Sequence, residues 1–232
     1  MTTDFLWGGR AEPTRGPKPA LNLARIADAA IAIADAEGLA AVSMQRVAAD
    51  LGFTKMSLYR YLPGKAELVA LMVERGIGEP PVLDATDWPA GLKEWSHRLL
   101  ARYLPHPWAL AATVGRRPVG PNELGWLECA VALLAGTGLT GGEQLDTVAV
   151  LAGQVRMIAQ QAAASRAPAA EFGTAIADVL VRHGERFPAL AATMADAAGG
   201  RDAAFDFGLD RILAGLRALI DERRPRREAG AG

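Results

Sequence analysis

Residues 43–65 read SMQRVAADLGFTKMSLYRYLPGK, and this stretch decides the fold. Ser43 stands just before a short apolar-periodic run, Met44 to Asp50, where its hydroxyl predicts an N-cap. Leu51-Gly52-Phe53 predicts a tight turn, because Gly52 can adopt the left-handed conformation that favours glycine. Thr54 predicts the cap of another short helix, from Lys55 to about Tyr61, and Leu62-Pro63-Gly64 ends it. Two short helices joined by a glycine turn, with Ala48, Leu51 and Leu58 allowing close crossing, predict a helix-turn-helix. Upstream, Asn22 caps a helix in which Leu23, Ile26, Ala27, Ala30, Ile33 and Ala34 recur at helical spacing until Gly38. Downstream, Lys65 to about Gly76 predicts a fourth helix with Leu68, Leu71 and Met72 on its apolar side.

The rest of the chain extends this all-α reading. Of 232 residues, 47 are alanine and half are hydrophobic, a composition that favours helix. Breakers parcel out further helices at about 88–104, 107–115, 121–136, 142–166, 169–184 and 202–223. No stretch alternates with period two, so strands are not expected. Domain boundaries follow the breakers: a flexible arm over 1–20, a helix-turn-helix domain over 21–78, a larger helical domain over 79–223, and a flexible tail over 224–232. Pro80-Pro81 marks the junction. No apolar run reaches the length of a membrane span and the N-terminus lacks a signal-peptide pattern, so a soluble cytoplasmic protein is expected.

Twenty-five basic and 26 acidic residues nearly cancel, which excludes a chain that binds polyanions by overall charge. The cations are instead concentrated locally. Residues 43–65 hold Gln45, Arg46, Lys55, Arg60 and Lys65 against one acid, Asp50, together with Ser43, Thr54, Ser57, Tyr59 and Tyr61. Cations, amides and hydroxyls on one short helical unit are the groups that contact a DNA duplex. Lys55, Met56 and Arg60 lie where a recognition helix reads a major groove. There Lys55 can meet guanine, Met56 a thymine methyl, and Gln45 adenine. The arm's Arg10, Arg15 and Lys18 either reach DNA as well or belong to an inert tail.

Residues 22–75 closely resemble the DNA-binding domain of the tetracycline-repressor (TetR) family. The carrying pattern is Ser43-hydrophobic-x-x-hydrophobic-Ala-x-x-Leu-Gly-hydrophobic, followed by Leu58-Tyr59-x-Tyr61 and Lys65. From Trp88 to about Gln161 a weaker likeness, carried by GRRP at 115–118 and the Gly-Leu-Thr break at 138–140, points to the tetracycline-repressor branch. The resemblance implies phosphate contacts from Ser43, Ser57, Tyr59, Tyr61 and Lys65. It also implies a palindromic double-stranded operator, a small-molecule effector, and a homodimer formed through helices 142–166 and 202–223. In those helices Leu145, Val148, Ala152, Val155 and Ala159, and Phe205, Leu209, Ile212, Leu213, Leu216, Leu219 and Ile220, form apolar stripes. A stripe of this kind serves either an intramolecular core or an interface.

Four of the five tryptophans fall in the larger domain, where each either fills core or lines a cavity. By the resemblance, effector contacts fall to Trp95, Leu99, Thr113, Arg116, Arg117, Trp126 and Met157. The branch's metal-chelate residues are missing: Thr113 and Pro81 replace its histidines and Trp95 its asparagine. An apolar or aromatic effector without a metal or cofactor is therefore expected. A ligand-free helix-turn-helix protein is one alternative. A helical enzyme is another, but Cys129 lies in an apolar run without an acid–base partner other than Glu128, and no phosphate loop or paired-carboxylate motif accompanies it.

Overall fold

The computed structural model describes residues 4–8, 21–165, 170–196 and 204–223. All regular structure among these residues is helical: α1 (Leu23–Glu37), α2 (Met44–Asp50), α3 (Lys55–Tyr59), α4 (Lys65–Ile77), α5 (Trp88–Tyr103), α6 (Trp108–Ala112), α7 (Pro121–Leu133), α8 (Gly141–Ser165), α9 (Ala170–His183), α10 (Pro188–Asp196) and α11 (Ala204–Arg223). The all-α fold and the helix-turn-helix agree with the sequence reading. Several helix ends differ by up to three residues from expectation, because terminal turns tighten or fray. Among the described residues, no helix is long and apolar enough to cross a membrane.

Two of the three predicted caps form. The Asn22 side chain accepts from Arg25 N at 2.8 Å and Ser43 Oγ accepts from Arg46 N at 3.1 Å. Gly52 takes φ 74° at the turn between α2 and α3. Thr54 departs from expectation. It stands at the N-cap of α3 without capping the backbone, and its hydroxyl bonds that of Ser57 at 3.0 Å.

The chain divides into two compact units, Met1–Ala135 and Gly136–Gly232. The division falls downstream of Pro80-Pro81, because α5, α6 and α7 all pack on α4 or its neighbours within the first unit. The core of this unit is built from Ile26, Ala30, Val42, Val47, Leu58, Leu62, Leu68 and Met72. Trp108, which the sequence left between core and cavity lining, belongs to this core. Its Nε1 donates to Asp35 Oδ1 at 2.7 Å, and His106 Nδ1 bonds the same oxygen at 2.8 Å.

Within the stretch read as an arm, Asp4–Gly8 forms a turn. Leu6 is buried in the same core and Trp7 Nε1 donates to the Val119 carbonyl at 3.3 Å. Arg10, Arg15, Lys18 and the tail over 224–232 lie outside the described residues.

In the second unit α8 packs against α11. The two apolar stripes divide on folding. Val148, Val155, Ala159, Phe205, Leu209, Leu213 and Ile220 are buried, whereas Leu145 is exposed and Ile212, Leu216 and Leu219 border, with Val150 from outside the stripes, an open apolar groove of about 300 Å³. Helix α10 was not foreseen. Pro188 reads as a breaker in sequence, yet proline is well suited to the first helical position, where no N–H is required.

Candidate nucleic-acid interface and effector site

The helix-turn-helix sorts its side chains by burial. Met44, Val47, Ala48 and Leu58 turn inward, and Ser43, Gln45, Arg46, Thr54, Lys55, Met56, Tyr59, Arg60 and Lys65 are exposed. Met56 is 71% exposed. Lys55 Nζ lies 5.5 Å from the Tyr59 ring centroid, a cation–π contact that orders the lysine beside Tyr59. Arg46 forms an ion pair with Glu37 of α1, Nη2 to Oε1 at 2.7 Å. Ser57 is half-buried, beside Thr54. The Tyr61 hydroxyl donates to the Leu21 carbonyl at 2.8 Å and so ties the end of this unit to the chain entering α1.

Of the residues expected at an effector site, Trp95 and Leu99 on α5 and Trp126 on α7 are all buried, and the structure joins the two tryptophans. The two indoles meet edge to face with centroids 6.2 Å apart, Trp95 Nε1 donates to the Trp126 carbonyl at 2.9 Å, and Trp126 Nε1 donates to the Gly78 carbonyl at 3.1 Å. Thr113 bonds back into its own helix through the Ala109 carbonyl at 2.9 Å. Arg117 forms a two-pronged ion pair with Glu123, with Nη1 to Oε2 at 2.6 Å, and its Nε is a buried donor without an acceptor among the described residues. Arg116 is exposed, and Met157, on α8 of the second unit, is also exposed.

Trp126 borders an open cleft of about 600 Å³ with Pro80, Pro81, Arg98 and Arg102. Sequence reasoning did not single out the two arginines. Their i, i+4 spacing on α5 was visible, but their placement beside the end of α4 depends on tertiary packing. Glu74 was also missed. It is a buried carboxylate within the apolar run of α4, and burial pushes its pKa above the ordinary carboxylate value.

Burial, with the charge of Glu128, likewise pushes the Cys129 thiol up, and its Sγ contacts the Pro81 carbonyl at 3.3 Å. Such a thiol is a poor nucleophile. Among the described residues, no group of three or more side chains is arranged to hold a metal ion.

Residues 26–72 match the family described as bacterial regulatory proteins, tetR family, and residues 80–220 match the tetracyclin repressor-like C-terminal domain. The chain is 40% identical over 235 residues to the HTH-type transcriptional repressor DrrR1 of Streptomyces coeruleorubidus, covering 96% of this chain and 87% of that protein. The crystal structure of Streptomyces coelicolor ActR in complex with actinorhodin superposes with a TM-score of 0.75 at 29% identity, covering 88% of this chain and 99% of that one. TetR from Acinetobacter baumannii shares the fold, with a TM-score of 0.61 at 22% identity over 86% of this chain and 98% of that one.

Proposed function

We propose that this chain, which belongs to the TetR family of bacterial transcriptional regulators and is not an enzyme, acts as a dimeric repressor released from its operator by an aromatic organic effector. The observation that carries the DNA-binding half is the sorted face of α2 and α3. Gln45, Lys55, Met56 and Arg60 stand exposed around a fully buried Leu58. In this reading those four meet base edges, and Ser43, Ser57, Tyr59 and Lys65 hold phosphates. Arg46 and Thr54 support the same surface, and Tyr61 holds its frame through Leu21.

The repressor sense is supported by DrrR1, and the effector-responsive sense by ActR, which binds actinorhodin. The effector site is assigned to Trp95, Leu99, Thr113, Arg116, Arg117 and Trp126. The unpaired Nε of Arg117 can donate to an oxygen of the bound molecule. Dimerisation is assigned to α8 and α11, whose outer apolar groove at Ile212, Leu216 and Leu219 would be covered by a second copy.

The test is selection of DNA from a random-sequence pool by the full chain. A palindromic consensus is expected, with the effector reading then tested by actinorhodin-induced release. Recovery of unrelated sequences with no symmetry would overturn the operator reading.

A further inference from the structure

We propose that Glu74 is the positioning residue through which α7 holds α4 in its operator-binding place; this rests on the repressor reading above. Two adjacent charges on α4 reach different neighbours. Arg75 grips Asp28 of α1 with two of its nitrogens, Nε to Oδ1 and Nη2 to Oδ2, the latter at 2.9 Å. Glu74 accepts the backbone N–H of Asn122 and, at 3.3 Å, that of Glu123 in the first turn of α7. Those N–H groups have no partner inside their own helix, and a carboxylate there is further favoured by the helix dipole. Asn122 Nδ2 returns a bond to the Glu74 carbonyl at 3.1 Å.

One turn of α4 therefore ties the reading head to the helix that carries Trp126. The fit at the junction is close. Gly120 stands at the N-cap of α7, and a Cβ there would overlap the Glu74 carboxylate. Farther along the same seam Trp126 bonds the Gly78 carbonyl and Gly125 lies against Pro80. Glu74 is only 7% exposed, so sliding α7 along α4 would break two charge-assisted bonds and strand a buried carboxylate. The junction accordingly resists small displacements of α7 along α4. A molecule wedged at the Trp95–Trp126 pair acts on α7 directly, and Glu74 passes the displacement to α4.

The experiment compares wild type, Glu74→Gln and Gly120→Ala, each checked for cooperative melting, on the selected operator and on the same operator with one base pair inserted at its centre. The ratio of the two affinities reports how firmly the half-site spacing is held. A merely destabilised fold lowers both affinities and leaves this ratio in place. Each variant is expected to lower the ratio at least tenfold, with the salt dependence of binding unchanged because the phosphate contacts remain. The double variant should lose no more than the worse single one. A ratio equal to wild type in both variants would overturn the role of Glu74 while leaving the repressor reading intact. A wild type that selects no operator would overturn both.

Discussion

Lys55 and Leu58 stand three residues apart on a five-residue helix, one exposed and the other fully buried. Leu58 is fully buried, so Leu58→Ala should cost about 2–5 kcal/mol in denaturant unfolding. Lys55 is exposed, so Lys55→Ala should leave stability within about 0.5 kcal/mol. It should instead cost ~1–3 kcal/mol of binding at one base position, read by affinity across single-base operator variants. Lys65→Ala belongs to another class. Under the proposed phosphate role it should weaken binding to all sequences alike and reduce the salt slope by about 1 in a titration of affinity against salt. If the two lysine variants shifted sequence preference in the same way, the sorting into base and phosphate contacts would fail.

At the scale of elements, one junction is set by charge and another by backbone geometry. The Arg223 guanidinium at the end of α11, with the N–H and hydroxyl of Thr140, holds Glu143 at the start of α8 down at about 2, below its usual 4.5. A carboxylate depressed on folding stabilises above its unfolded pKa, and that stabilisation is lost as pH falls towards the folded value. Thermal melts followed by circular dichroism should therefore decline between about pH 4.5 and 2. Glu143→Gln should show a shallower decline over the same range. The turn between α2 and α3 depends on backbone geometry instead. Gly52 sits at φ 74° with open space around the place of a Cβ, so Gly52→Ala acts through the backbone alone. About 1 kcal/mol of destabilisation is expected in denaturant unfolding, with operator contacts otherwise intact.

At the scale of the whole molecule, the proposed dimer and the proposed effector response are thermodynamic statements. Leu216 borders the apolar groove between α8 and α11, and Leu216→Lys should leave a folded monomer in sedimentation equilibrium that has lost tight operator binding. An effector that lowers operator affinity must have its own affinity lowered by operator to the same factor, typically a coupling of ~1–3 kcal/mol. With actinorhodin as the probe, tryptophan quenching titrations with and without operator measure that factor directly. Equal quenching in both would remove the effector mechanism.

The sequence by itself determined the features that depend on neighbours a few residues apart. Asn22 and Ser43 cap, Gly52 turns, and the spacing of Ile26, Ala30 and Ile33 buries one side of α1, because capping and helical periodicity act within a turn or two of chain. The exposed cations of α2 and α3 were legible for the same reason. Tertiary structure alone decided which half of the α11 stripe is covered, why the first unit runs on to Ala135, and how Trp7 meets Val119. It also decided that Glu74 caps a helix 48 residues away and that Trp95 and Trp126 bond each other. An acid in an apolar run and a tryptophan at helical spacing look the same in sequence whatever they later touch. Their partners are set when helices pack, and only then does a buried carboxylate acquire the N–H groups that make its burial affordable.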